Sequence, residues 1–99
     1  MKVLAIIATN ITDPSWVAEY TEKVTPMVSK VGGRYLTRTA QVDLIEGHEK
    51  PQFSIVVEFP SKEVATAFYD SEEYRPYRNA RLQGSTNQFL LVAVENGTE

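Results

Sequence analysis

Tyrosine and arginine side chains are concentrated in residues 72–85, which read EEYRPYRNARLQGS. On a helix, Tyr74, Tyr77, Arg78 and Arg81 fall at positions i, i+3, i+4 and i+7 and therefore share one stripe. An arginine beside a tyrosine can bind a carboxylate, a phosphate or another planar anion. This chemistry makes the stripe a candidate binding surface.

The alternative interpretation of the stripe is structural, and we favour it for the arginines. Nearby acids are numerous enough to neutralise them: Asp70, Glu72, Glu73 and Glu46. We expect Arg81 to be a buried anchor paired with an acid such as Glu46 or Glu72. For Tyr74 the structural and the ligand-binding interpretations both stay open.

Glu58 is the candidate general base. It lies near the end of QFSIVVEF at 52–59, on the opposite face from the alternating apolar residues Phe53, Ile55, Val57 and Phe59. A carboxylate partly buried there could accept a proton in catalysis. A cross-strand ion pair is the favoured alternative, because structural ion pairs are commoner than catalytic carboxylates.

Ligands for metals and cofactors are scarce in this composition. The chain has no cysteine and one histidine, His48, which falls in the loop GHEKP. Thiolate nucleophiles, disulfides and cysteine-held metal centres are therefore excluded, and a single histidine does not make a metal site. We expect no metal and no cofactor, and we interpret His48 as a solvated loop residue.

A first helix is predicted to follow an apolar strand at residues 2–9. Asp13 can accept a backbone N–H as the N-cap, and Pro14 fits the first helical position. Pro26 removes one helix hydrogen bond, so a kink or a break is expected near residues 22–26. Gly32-Gly33 then ends the helix, since glycine adopts the left-handed cap conformation easily.

The remaining elements complete a known order. Residues 34–46 and 52–59 are predicted strands, Ser61 caps a helix that runs through Tyr69, a further helical segment lies between 72 and 82, and 88–95 form the last strand. The order β-α-β-β-α-β predicts an α+β, ferredoxin-like sandwich with a four-stranded antiparallel sheet and two helices on one face.

The outer face of this sheet needs a cover. The first and last strands are apolar on both sides, whereas a sheet with one wet face alternates apolar and polar residues. Since monomers rarely expose large apolar patches, we expect a homodimer in which two sheet faces pack together. Pairing Leu44 with Phe53, Val42 with Ile55 and Ala40 with Val57 keeps apolar residues together. This register predicts a partly polar cavity on the other face, beside Thr39, Gln41, Asp43, Ser54, Val56 and Glu58.

Length and charge limit the partners. The chain has 99 residues, which we interpret as one domain, 1–99, and its formal net charge is −3. This acidic balance does not favour nucleic acid or anionic lipid. The apolar run Val3–Ala8 is too short for the core of a signal peptide, so we expect a strand there, no membrane association and a cytoplasmic protein.

Several segments in one order resemble a known family. They are GGRYLTR at 32–38, EFPSKEVATAFYDSEEY at 58–74, Arg81 and FLLVAVENG at 89–97. Together they resemble the domain of unknown function 1330 family, in the dimeric α+β barrel superfamily that also holds antibiotic-biosynthesis monooxygenases. The resemblance implies a ferredoxin-like subunit in a barrel-forming dimer. The positions it singles out are Gly33, Tyr35, Arg38, Glu46, Gly47, Glu58, Phe59, Ser61, Ser71, Tyr74 and Arg81. Phe68 departs from the pattern, where the resemblance implies tryptophan.

Two functions of different classes fit this sequence. The first is a cofactor-free dimeric protein that binds or transforms a small organic molecule, with Tyr35, Arg38, Glu58, Tyr74 and Arg81 as candidate ligand-binding residues. The second is a non-catalytic homodimeric module whose polar residues hold the fold and the interface. The residues do not decide whether the protein is an enzyme, because fold kinship alone is not a site argument.

Overall fold

The elements follow one another in the predicted order, with the second helical region divided in two. A computed structural model describes residues 1–95. Its elements are β1 (Val3–Ile11), a 3-10 turn (Pro14–Trp16), α1 (Val17–Lys30), β2 (Arg34–Thr39), β3 (Phe53–Phe59), α2 (Lys62–Tyr69), α3 (Arg75–Gln83) and β4 (Ser85–Ala93). The α+β ferredoxin-like fold class is confirmed.

The helix boundaries follow local chemistry. The Asp13 side chain accepts a hydrogen bond from the Ser15 backbone N–H, and Ser61 accepts one from the Val64 N–H. Asp13 caps the 3-10 turn that leads into α1. Gly32 follows α1 with a φ of +86°, a conformation in which a side chain would be strained.

Pro26 lies inside α1 without breaking it. The helix is continuous from Val17 to Lys30, so the break considered for residues 22–26 does not occur. Val24 and Val28, on either side of the proline, are both buried against the sheet. Tertiary packing of this apolar face stabilises the helix and outweighs the loss of one backbone hydrogen bond.

The sheet is antiparallel with the strand order β2-β3-β1-β4. Alternate residues of β1, namely Val3, Ala5, Ile7 and Thr9, are buried beneath the helices. The core cluster also contains Val57, Phe59, Ala65 and Tyr74. One face of the sheet therefore carries the helices and the core.

The other face of the sheet, here called the open face, has an apolar centre. Leu4 pairs with Val92, and Ile6 pairs with Leu90 on one side and Val56 on the other. Leu90 and Val92 are 45% and 41% exposed. No element within residues 1–95 covers this face, as the sequence pattern predicts.

The predicted register of the middle hairpin is wrong. β2 ends at Thr39, and Tyr35 pairs with Val57 and Arg38 with Ile55 across a bulge after Tyr35. The predicted register buries Ala40, Val42 and Leu44, but these residues lie beyond the strand. The helix side of β2 is occupied instead by Tyr35 and Arg38, which stack on each other. Leu44 lies in the loop after β2 and is 44% exposed.

The strand face expected to carry a polar cavity does not form as that register predicts. The cavity was placed on the face of Thr39, Gln41 and Asp43, but residues 41 and 43 belong to the long loop between β2 and β3. A cavity of about 360 Å³ lies instead on the helix side of the sheet. None of the helices within residues 1–95 is long and apolar enough to span a bilayer.

Candidate functional site

A cavity of about 360 Å³ separates α1 from the helix side of the sheet. This volume is near the lower end of the range for small-molecule pockets, about 300–1,000 Å³. Most of its wall is apolar, because alternate strand residues and the inner stripe of α1 face each other across it. The apolar lining includes Ala5, Ile7, Val17, Val24, Phe53, Ile55, Val57, Phe68 and Phe89.

Two tyrosine hydroxyls meet in the wall of the cavity. The hydroxyl oxygens of Tyr20, on α1, and Tyr74, at the start of α3, lie 2.6 Å apart and share a hydrogen bond. Tyr74 is 1% exposed, and the Phe68 ring stacks on it with centroids 4.6 Å apart. Ser71 holds Tyr74 in place, since its hydroxyl accepts from the Tyr74 backbone N–H and donates to the Phe68 carbonyl.

Burial keeps the hydroxyls of Tyr20 and Tyr35 protonated. Desolvation raises the pKa of Tyr20 well above its usual range, and the neighbouring Tyr74 raises it further, while Arg81 opposes the shift. Desolvation also raises the pKa of Tyr35, against the opposing charge of Arg38. These hydroxyls are therefore hydrogen-bonding groups at neutral pH and do not act as bases.

Arg81 lines the same cavity from the last turn of α3 and is 4% exposed. Its Nε and Nη2 are buried and have no hydrogen-bond partner within residues 1–95. Its guanidinium carbon lies 5.7 Å from the centroid of the Phe89 ring. Burial alone would lower the pKa of Arg81, but the phenol oxygens of Tyr74 and Tyr20 raise it overall, so the side chain is cationic.

The acid expected to pair with Arg81 is not found in this part of the chain. Within residues 1–95, no carboxylate oxygen lies within 4.0 Å of an Arg81 nitrogen, and neither Glu46 nor Glu72 forms an ion pair. Arg78 does pair locally, at 3.9 Å from Asp70, and it donates to the Tyr69 carbonyl. Several acids lie near both arginines in the sequence, but Arg78 pairs with one of them, whereas Arg81 is buried in the core.

Arg38 and Tyr35 form the β2 side of the cavity. The Arg38 guanidinium carbon lies 4.0 Å from the centroid of the Tyr35 ring, and its Nη1 donates to the Thr25 hydroxyl at 2.8 Å. Arg38 is exposed, whereas Tyr35 is half-buried. This stacked pair places a second cation where the cavity meets the surface.

Glu58 lies away from the other candidate residues. It is on the open face, opposite Leu4, with 21% of its side chain exposed. One carboxylate oxygen lies 3.5 Å from Lys2 Nζ and 3.5 Å from Arg34 Nη2. The structure therefore brings Tyr35, Arg38, Tyr74 and Arg81 to one cavity and places Glu58 in the ion-pair arrangement that was favoured as its alternative.

Two cavity residues were missed as functional candidates. Tyr20 and Trp16 were interpreted only as apolar positions of the first helix. Trp16 lines the cavity, and its indole N–H donates to the Gly84 carbonyl at 3.2 Å. Tyr20 could have been noticed because a buried tyrosine needs a partner for its hydroxyl, but the partner is 54 residues away in sequence.

The cavity offers hydrogen-bond donors and positive charge. Its lining contains no aspartate, glutamate or histidine, and residues 1–95 contain no group of three such side chains placed to hold a metal ion. His48 is exposed in the loop between β2 and β3. The arrangement can orient a molecule and stabilise negative charge on it, but it presents no carboxylate or imidazole base.

The fold and this cavity define a ferredoxin-like α+β protein with a pocket between its helices and its sheet. The chain belongs to the family described as domain of unknown function (DUF1330), which matches residues 2–95. The resemblance of the sequence to this family is therefore confirmed. Residues 96 and 97 of its last similar segment lie outside the described residues.

Solved structures with the same fold come from several bacteria. The chain is similar to a protein of unknown function from Rhodopseudomonas palustris, with a TM-score of 0.80, 14% identity, and 97% of this chain and 84% of that chain covered. It is also similar to SnoaB, a cofactor-independent oxygenase from Streptomyces nogalater, with a TM-score of 0.68, 11% identity, and 97% and 95% coverage.

A third structure is a dimeric ferredoxin-like protein of unknown function from Thermobifida fusca YX. Its TM-score is 0.55 at 14% identity, and the alignment covers 95% of this chain and 92% of that chain. No curated protein matches the sequence. At these identities the structural matches establish the fold alone.

Proposed function

We propose that this protein binds a small, mainly apolar organic molecule in the cavity between α1 and the sheet, without a cofactor. The observation that carries the proposal is the cavity itself, about 360 Å³ with an apolar wall and a few convergent polar groups. Such a combination is typical of small-molecule sites. The polar groups are Arg81, Arg38, Tyr35 and the hydroxyl pair of Tyr20 and Tyr74.

The similarity to SnoaB supports a function that needs no cofactor. SnoaB has the same fold and is a cofactor-independent oxygenase, so a chain of this architecture can act on a molecule with its own side chains alone. The 11% identity transfers no residue roles. Any transformation of the ligand in the present protein would rest on the donors and the positive charge of its own cavity.

The proposal includes a homodimer formed through the open face. Its support is the exposed apolar centre around Ile6, Leu90 and Val92, which has no cover within residues 1–95. A dimeric ferredoxin-like protein has a similar fold. The cysteine-free composition supports placing this dimer in the reducing cytoplasm. The dimer alone would suffice for the second function, a non-catalytic interaction module.

Trp16 gives a direct test of cavity binding. It is the single tryptophan of the chain and lines the cavity, so a molecule bound there should change its fluorescence. We expect small aromatic compounds to change the Trp16 emission saturably and to raise the melting temperature, because a ligand that binds only the folded state stabilises it.

A matched pair of valine substitutions separates cavity binding from surface binding. Val24→Phe fills the cavity, since Val24 lines it and is 1% exposed, whereas Val31→Phe makes the same change at a position that is 36% exposed after α1. The first variant should lose the saturable fluorescence change and the second should retain it. Equal binding by both variants, or no binding by the wild type across the panel, would overturn the proposed cavity site.

A further inference from the structure

Arg81 is a buried cation without a counter-charge among the described residues. It is 4% exposed, its Nε and Nη2 have no acceptor, and the four ion pairs of residues 1–95 involve other side chains. Its guanidinium faces the phenol oxygens of Tyr74, Tyr20 and Tyr69, with Tyr74 also contributing a hydrogen bond, and the ring of Phe89, and none of these groups is a carboxylate. Buried charges in proteins are normally paired and hydrogen-bonded. Among the described residues, Arg81 has no such anionic partner.

The charged side chains that line the cavity are all positive. Its lining contains two ionic side chains, Arg38 and Arg81, and no carboxylate. The protein as a whole is acidic, with a formal net charge of −3. The positive field of the cavity is therefore a local property of the site, and it is strong because an apolar surrounding screens charges poorly.

The hydroxyl pair adds a neutral donor to this cation. When Tyr20 and Tyr74 share one hydrogen bond, the hydroxyl that donates uses its proton in that bond. The hydroxyl that accepts keeps its own proton for another acceptor. A cation and a free O–H donor in one apolar cavity together suit an anionic oxygen, which accepts charge-assisted hydrogen bonds from both kinds of group.

Resting on the proposed function, we propose that the ligand is an apolar organic monoanion whose anionic oxygen, of a carboxylate or an enolate, is held against Arg81 and the Tyr20–Tyr74 pair. The hydrocarbon part of the molecule occupies the apolar volume between α1 and the sheet. Arg81 is the residue that selects the charged form of the ligand. Arg38, which is exposed, contributes less because solvent screens its charge.

Matched acids and amides test this selection. Benzoate, cinnamate and 2-naphthoate, each compared with its own primary amide, differ in charge while shape is nearly constant. Enolates are represented by the ionised form of a cyclic 1,3-diketone and by its neutral enol ether. Isothermal titration near neutral pH should show the anions binding about ten- to hundredfold more tightly than their neutral partners, as expected for a hydrogen bond to a charged group.

Two arginine substitutions assign the selection to one residue. Arg81→Met should remove most of the preference for the anion, whereas Arg38→Met, the same change at the exposed cation, should leave most of it. Circular dichroism establishes that both variants are folded. If Arg81→Met does not fold, the comparison of anions with neutral partners on the wild type decides the proposal alone.

The outcomes distinguish this inference from the proposed function. Equal affinity of the wild type for anions and neutral partners would overturn the anion inference and leave the small-molecule site intact. A folded Arg81→Met protein that kept the preference would overturn the role of Arg81. If neither class of compound bound and the Trp16 emission never changed, the cavity site itself and the inference with it would be wrong.

Discussion

The hydroxyl oxygens of Tyr20 and Tyr74 lie 2.6 Å apart and connect α1 with the start of α3. Their rings also meet edge to face, with centroids 6.1 Å apart. Because Tyr74 is 1% exposed, bulk water cannot replace the partner of its hydroxyl. The same contact therefore holds two helices together and forms part of the cavity wall.

Tyr20→Phe should destabilise the protein by about 1 kcal/mol, since it removes one hydrogen bond and leaves the buried Tyr74 hydroxyl without its partner. Tyr77→Phe is the matched control, because Tyr77 is half-buried on α3 and its hydroxyl makes no hydrogen bond within residues 1–95. Urea unfolding of both variants gives the comparison. Equal stability of the two variants would mean that the hydroxyl contact contributes nothing.

Alkaline pH should destabilise the folded protein through the ionisation of Tyr20. In the folded state the pKa of Tyr20 is raised, first by burial and then by Tyr74, above the value of about 10 for an unfolded tyrosine. The stabilisation is therefore complete below pH 10. As the pH rises further, the unfolded state loses its proton first, and the free energy of unfolding falls by about 1.4 kcal/mol per pH unit for each such tyrosine.

The Tyr20→Phe variant isolates this titration. Its free energy of unfolding, measured by urea denaturation at a series of pH values from about 8 to 11.5, should fall less steeply above pH 10 than that of the wild type. Tyr77→Phe again serves as the control and should follow the wild-type curve. Parallel curves for wild type and Tyr20→Phe would show that Tyr20 ionises equally easily in both states.

The local features of the fold were predictable because their causes lie within a few residues. Asp13 and Ser61 cap their helices through backbone groups two and three residues away, and Gly32 ends α1 by its own conformational freedom. The pairing of Arg78 with Asp70 joins α3 to the residue that directly follows α2. The apolar pattern of β1 and β4 likewise predicted an open face without knowledge of the partner strands.

The cavity was not predictable because its contacts are long-range. Apolar pairing predicts one register for the hairpin, but a stacked Tyr35 and Arg38 occupy the helix side of β2. No residue near Tyr20 in the sequence indicates that the Tyr74 hydroxyl is its hydrogen-bond partner. The number of nearby acids predicts an ion pair for Arg81. However, Arg81 lies in the last turn of α3 with its side chain buried in the core.

Leu90→Glu should dissociate the proposed homodimer. Leu90 is 45% exposed on the open face, on β4 beside Ile6, and a carboxylate buried there against a second copy would lack a partner. Leu82→Glu is the control, since Leu82 is 49% exposed on α3, on the opposite side of the sheet. Light scattering should give a dimer for the wild type and Leu82→Glu and a monomer for Leu90→Glu. If the wild type were a monomer, the inference that two open faces pack together in a homodimer would be wrong.

Arg81→Met should leave the free energy of unfolding unchanged or raise it by up to about 3 kcal/mol in the absence of ligand. Methionine has a similar length and fills the same apolar surroundings, and replacing a buried charge by a hydrophobic side chain is often neutral or stabilising. The acid pairing expected from sequence would have given a loss of about 2–4 kcal/mol, because the partner would have been left buried and unpaired. Thermal and urea unfolding of the purified variant distinguish these opposite signs.

Arg78→Met makes the same change three residues earlier in α3 and should have the opposite effect. Arg78 donates to the Tyr69 carbonyl at 3.1 Å and pairs with Asp70 at 3.9 Å, so its loss should cost about 1 kcal/mol. If Arg81→Met were the more destabilising of the two, the Arg81 charge would be compensated in the folded protein, and the energetic reason for an anion in the cavity would disappear.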